Sequence, residues 1–274
     1  MSAKAFVLGL ALVSSTTTVV ATTLQARTTA DFNRYAAAVM ARLERELKAE
    51  GPFLSIERLP AAEQATARQA LLRGETIVER ATRVQDGKNN EIDVDGGLVN
   101  HWHGVIFVPN VKLDALIANI REPGTDKHKQ EDVLRSVVTS RDGDSQKVYL
   151  RLKRTKVITV YYDTDYDVKY VRLSPTRATS NSLSTRIVEV ENPGTPQEKL
   201  LPEGDDHGFM WRLNSYWRFE EINGGVMVEI ESLTLSRQMP FLLKPIAGPI
   251  ITHIARETLA RTLESVRARF TMKG

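Results

Sequence analysis

The dipeptide Asn223-Gly224 sits between two stretches of alternating polarity, and one long helical stripe follows them. That order restricts the chain to a sheet that needs a helix as its cover. In the first stretch Leu213, Ser215, Trp217 and Phe219 share one face of an extended chain, while Arg212, Asn214, Tyr216, Arg218 and Glu220 share the other. Asn-Gly is a strong hairpin signal because glycine accepts a positive φ without steric cost. The return stretch, residues 226–235, sets Val228 and Ile230 against Glu229 and Glu231. Both strands therefore cover one apolar interior. Beyond Pro240, Pro245 and Pro249, which break the pattern, Ile251, Ala255, Leu259, Leu263, Val266 and Phe270 recur at steps of three and four. This spacing predicts an amphipathic helix of about five turns whose stripe lies on the sheet.

Upstream, residues 29–50 carry Phe32, Ala36, Val39, Leu43 and Leu47 at helical spacing, and Gly51-Pro52 ends the run. A second helix over 61–72 and a strand over 76–80 follow. The Gly- and Asn-rich segment 85–97 marks the boundary between an N-terminal helical arm, residues 22–90, and a main domain, residues 91–274. The arm has too few large apolar side chains for a core of its own, so it is expected to pack on the main domain. That domain reads as a strand over 98–108, a helix over 111–120, and strands over 134–140, 147–152, 157–173 and 177–190 joined by short turns, the order of an antiparallel meander. Residues 192–208 form a long polar loop, read as a surface insertion.

With 37 basic and 34 acidic residues the chain is too evenly charged to argue for a nucleic-acid partner. No cysteine is present, which removes disulfides, thiolate metal sites and a cysteine nucleophile. Residues 1–21 have the three parts of an export signal: Lys4, the apolar run 5–13, and a small-residue stretch ending at Ala21. Cleavage after Ala21 implies a periplasmic or extracellular protein, which weakens any reading that depends on a cytosolic nucleotide.

Candidate chemistry is sparse. His101 and His103 lie two apart, so a strand points them to one face, where a shared metal would need a third ligand such as His207 or His253; Trp102 faces the opposite way, inward. A metal site is not expected from two histidines. Asp205-Asp206-His207 suits turn chemistry better than acid and base catalysis. Phosphate loops, the Gly-x-Ser-x-Gly elbow and His-Glu-x-x-His do not occur in the sequence. Tyr149, Tyr161, Tyr162, Tyr166 and Tyr170 alternate with basic residues and with Asp163, Asp165 and Asp167, a pattern read as a solvated sheet face able to meet anionic headgroups.

The segments Asp206-His207-Gly208-Phe209-Met210-Trp211-Arg212-Leu213-Asn214-Ser215-Tyr216-Trp217-Arg218-Phe219-Glu220-Glu221, Arg256-Glu257-Thr258-Leu259, Gly97-Leu98-Val99-Asn100-His101-Trp102-His103-Gly104 and Val148-Tyr149-Leu150-Arg151-Leu152 resemble bacterial members of the START-like (SRPBCC) helix-grip superfamily over residues 90–270. The resemblance implies an α+β fold in which a curved antiparallel sheet wraps around the C-terminal helix and leaves a cavity for a hydrophobic ligand. It also brings in the superfamily's lipid carriers and polyketide cyclases. The expected activity is noncatalytic binding of a lipid, isoprenoid or aromatic compound, with no cofactor. Alternatives are an exported protein-interaction module and a cofactor-free cyclase or hydrolase. From the sheet, Trp102, Leu213, Trp217, Phe219, Val228 and Ile230 are expected to line the ligand space. From the helix come Ile251, Ala255, Leu259 and Leu263.

Overall fold

A computed structural model describes residues 22–49, 51–82, 84–85, 90–122, 130, 132–155, 158–238 and 244–271, with the side chains of 22–23 and 244–252 left aside. The proposed export signal, 1–21, lies outside these residues.

The N-terminal part contributes β1 (Thr22–Thr23), α1 (Ala26–Lys48), a 3-10 turn (Ser55–Arg58), α2 (Ala61–Leu72) and β2 (Ile77–Arg80). Then follow β3 (Gly97–Pro109), α3 (Leu113–Ile120), β4 (Val133–Asp142), β5 (Ser145–Thr155), β6 (Thr159–Ser174) and β7 (Arg177–Glu191). Two-residue strands β8 (Lys199–Leu200) and β9 (Asp205–Asp206) precede β10 (Arg212–Ile222), β11 (Gly225–Arg237) and α4 (Lys244–Thr271). One large curved antiparallel sheet runs in the order β2-β3-β11-β10-β7-β6-β5-β4, with β8 on the edge of β7. Because β3 pairs with β11, the sheet is a meander whose first long strand lies beside its last.

The β10–β11 turn follows from its residues. Gly224 takes φ 90°, and the register runs from Ile222↔Gly225 to Arg212↔Leu235 without a slip. Alternation then sends Phe219 and Val228 to the inner face and Arg218 and Glu229 to the outer one. On the inner face Leu259, Leu263 and Val266 of α4 and Leu113 and Leu116 of α3 meet Ile106, Val108, Phe219, Val226 and Val228. The result is the helix-grip arrangement, α+β in class.

The outer face of β3, β11 and β10 is covered by the N-terminal arm. Phe32, Tyr35, Ala36 and Val39 of α1 pack on Tyr216, Leu233 and Leu235, while Phe53, Leu54, Ile56 and Leu71 pack on Val105, Phe107 and Met227. The same two-sided burial explains why β11 has seven buried residues in succession, Gly225 to Glu231, in place of a clean alternation.

Two expectations need correction and a third is refined. α4 starts at Lys244, so Pro245 and Pro249 lie within it. Pro245 occupies the first turn, where a backbone N–H has no intrahelical acceptor, and Pro249 gives up one bond in the second turn. The five tyrosines do not share a solvated face: Tyr162, Tyr166 and Tyr170 are buried on the inner side, because even-numbered positions of β6 point there. The 192–208 loop is anchored, since β9 pairs with β1 and Asp206 is buried.

Candidate functional site: the inner face of the sheet

Cross-strand register arranges the inner face in rows. One row reads Ile106, Val228, Phe219 and Ala178 across β3, β11, β10 and β7. All four are buried beneath α3 and α4 in close-packed contact. The next row reads Gly104, Ile230, Trp217 and Ser180. Here α4 comes nearest, and Trp217 stacks on Phe219 with ring centroids 6.1 Å apart.

The character of the face changes in the row after that. Trp102, Ser232, Ser215 and Ser182 stand in register, followed by Val168 and Gln146. Three serines on adjacent strands are half-buried, although they lie on the face that the helix covers. Their hydroxyls meet no hydrogen-bonding partner among the described residues. The flanking row holds Thr234 and Leu213, also half-buried, with Tyr166 opposite Ser184 on the next pair of strands. In side-chain length this row is a trough, since neighbouring rows carry indole, phenyl and butyl groups. Its apolar banks are Trp217 and Ile230 on one side and Leu213 with Leu150 and Val148 toward β5.

Of the lining expected from sequence, Trp102, Phe219, Val228, Ile230, Leu259 and Leu263 are buried in one inner cluster, with Trp217 and Ala255 half-buried beside them. Leu213 belongs to the adjoining clusters with Tyr162 and Tyr166. The side chain of Ile251 lies outside the described residues. The serine row and Tyr166 were absent from the expected lining. Their signal was present in Ser180, Ser182 and Ser184, which recur at every second position of β7.

A second polar constellation occupies the outer face beneath the N-terminal arm. Tyr35 Oη lies 2.9 Å from His101 Nδ1, and His101 Nε2 lies 2.5 Å from Glu231, which also pairs with Arg42. Arg218 donates to Glu46 and to Phe53 O, and pairs with Glu229 at 3.5 Å. Ser55 Oγ is 2.9 Å from His103 Nε2, Glu229 is 3.3 Å from the same nitrogen, and Glu79 is 3.7 Å from Nδ1. Serine, histidine and glutamate thus meet in the order of a nucleophilic relay. Electrostatics opposes that use. Burial alone would lower the His103 pKa, but Glu229, Glu79 and Glu231 outweigh it and raise it to about 9. A protonated imidazole cannot accept the serine proton at neutral pH. Likewise, burial would raise Glu231, yet His101 and Arg42 hold it down to about 2. The cluster is an ionic seam joining α1 and the 3-10 turn to the sheet. Both imidazoles are engaged by carboxylates, and among the described residues no three His, Asp or Glu side chains converge as metal ligands.

At the third candidate, Asp206 accepts the N–H of Gly208 at 2.7 Å and the indole N–H of Trp211 at 2.9 Å, while His207 Nδ1 lies 2.6 Å from Glu189. This is turn chemistry: a buried aspartate closes the loop ahead of β10. Its burial, then the charge of Glu189, raise the Asp206 pKa to about 6.

No protein-family model matches the sequence, and no curated protein does. Solved structures with similar architecture include the STAR-related lipid transfer protein fragment from Xanthomonas axonopodis, at 17% identity and TM-score 0.46, over 66% of this chain and 96% of that one. The lipid transfer and protein localization domain of human StarD13 is 11% identical with TM-score 0.43, over 78% and 99%. Truncated norcoclaurine synthase from Thalictrum flavum is 9% identical with TM-score 0.37, over 67% and 100%. Likeness at these levels carries no argument about activity, which has to be read from the chain's own side chains.

Proposed function

We propose that this helix-grip chain binds a hydrophobic small molecule, a lipid, isoprenoid or aromatic compound, between the inner face of the sheet and α4, without making or breaking bonds. One observation carries the reading: beneath a covering helix, a row of three half-buried serines replaces the packed apolar rows beside it. In a solid core, side chains interdigitate with few voids larger than a water molecule, so short polar residues under a helix mark room for an occupant. Apolar banks would supply the affinity, at about 0.8 kcal/mol per buried methylene, and the hydroxyls would orient the ligand. The ionic seam on the opposite face holds the arm in place and leaves the inner face to the ligand.

Export through residues 1–21 belongs to the same proposal, motivated by the tripartite pattern ending at Ala21. Intact-mass measurement of protein from its source tests it: a mature N-terminus at Thr22 is expected, and a chain starting at Met1 confined to the cytosol would overturn it. Native mass spectrometry of the same material tests ligand binding. A co-purified apolar molecule that is lost on unfolding is the expected result. An empty chain that also fails to bind N-phenyl-1-naphthylamine saturably would remove the carrier reading in favour of a protein-interaction module.

A further inference from the structure

Several buried polar tips on the inner face and on α4 have no hydrogen-bond partner among the described residues, and the indole Nε1 of Trp102 and the hydroxyl of Tyr166 are two of them. These two residues are only 7% and 5% exposed. Buried indole and phenol groups normally find an acceptor, because an unmade bond forfeits their hydration without replacement. The other two tryptophans do not have this deficit: Trp211 donates to Asp206, and Trp217 is half-buried. Trp102 stands at one end of the serine row, directly opposite Ser232. Tyr166 flanks the far side of the trough, opposite Ser184, and its burial pushes its pKa up to about 12, which keeps it a neutral donor. Four inter-strand steps separate the two, about 19 Å at the usual spacing. An indole N–H can only donate.

We propose that the ligand is an elongated apolar molecule with a carbonyl oxygen at one end, and that the Trp102 indole N–H donates a hydrogen bond to that oxygen. This rests on the inner face being the ligand site. It adds a chemical class: a ketone, ester or acid is selected over a hydrocarbon of equal length. A site built to donate a hydrogen bond rejects an analogue that lacks the acceptor, since the buried donor is then left bare. Trp102 is therefore the specificity-determining residue, and the apolar lining is indifferent to the distinction.

The test is competition of 2-tridecanone and tridecane against N-phenyl-1-naphthylamine on the full chain. Wild-type protein should be displaced by the ketone at about tenfold lower concentration than by the alkane. Trp102→Phe should erase that preference while weakening both competitors, because it removes the N–H together with part of the ring. In 1H–15N spectra of wild-type protein, one indole N–H resonance should move downfield with the ketone and stay in place with the alkane. That measurement stands even where Trp102→Phe does not fold. Equal displacement by the two competitors in the wild type, or a preference that survives Trp102→Phe, overturns the carbonyl assignment while leaving the ligand site intact. Absence of saturable naphthylamine binding removes the site itself.

Discussion

Gly104 of β3 lies directly beneath Leu263 of α4, so close that a β-carbon on the glycine would come within 2.7 Å of the leucine Cδ1. Leu259 Cδ2 and the carbonyl of Ile77 would both stand at 3.4 Å. The helix reaches the sheet because this position has no side chain.

Gly104→Ala should destabilise the chain by about 1 kcal/mol, because a leucine tip can yield, and Gly104→Val by about 3 kcal/mol, because a branched side chain pushes α4 off its seat. In a Leu263→Ala background the alanine substitution should be nearly neutral, giving a coupling of about 1 kcal/mol or more in a double-mutant cycle from urea titrations. An unchanged melting temperature for Gly104→Val would show that α4 does not rest on β3.

Ser215→Leu should fill the trough. If the space is open, the variant is as stable as the wild type or more so and loses naphthylamine binding by at least about tenfold. If the serines sit in a packed core, overpacking should instead cost about 1–3 kcal/mol. Calorimetry and probe titration on one variant separate the two outcomes.

The ionic seam predicts a pH dependence that originates at His103. Its folded pKa of about 9 lies above its ordinary value of 6.5, so the stabilisation from its charged pairs is fully present below pH 6.5. It declines as pH rises from 6.5 and is gone above 9. The contribution is about 3 kcal/mol. His103→Gln should therefore cost stability at pH 6 and progressively less by pH 9.5, measured as the difference in unfolding free energy from wild type. A difference independent of pH would remove His103 as the source.

Asp206 behaves in the opposite sense. Its folded pKa of about 6 exceeds the ordinary 3.8, so the folded chain favours the protonated acid, and stability falls as pH rises between these values and stays lower above 6. An asparagine still accepts from Gly208 and Trp211 without carrying charge. Asp206→Asn should match wild type near pH 3.5 and exceed it by about 3 kcal/mol at pH 7.5. A loss of stability at pH 7.5 would show that the carboxylate's charge strengthens the turn.

Much of this architecture was legible from spacing. The two faces of β10 and β11, the placement of Trp102 opposite His101 and His103, and the stripe Leu259, Leu263 and Val266 all follow from local periods of two and 3.6 residues. The start of α4 was misplaced because Pro245 and Pro249 read as breakers, although a proline's missing N–H is harmless in a first turn. The tyrosines of β6 form one dense group in sequence, but parity sends Tyr162, Tyr166 and Tyr170 to the inner face and Tyr161 to the other. The serine row was missed for a different reason. Ser182, Ser215 and Ser232 are unremarked polar residues on three separate strands, and only register aligns them.

By itself the sequence determined which residues share a face of each element, since that depends on backbone repeat alone. Only the tertiary structure decided what each face meets. His103 is charged because Glu79 and Glu229, 24 and 126 positions away, converge on its ring. The serine row exists because register lines up short side chains from three strands across the sheet. Electrostatic shifts and the alignment of short side chains both arise from groups distant in sequence, and no local period encodes their distance of approach.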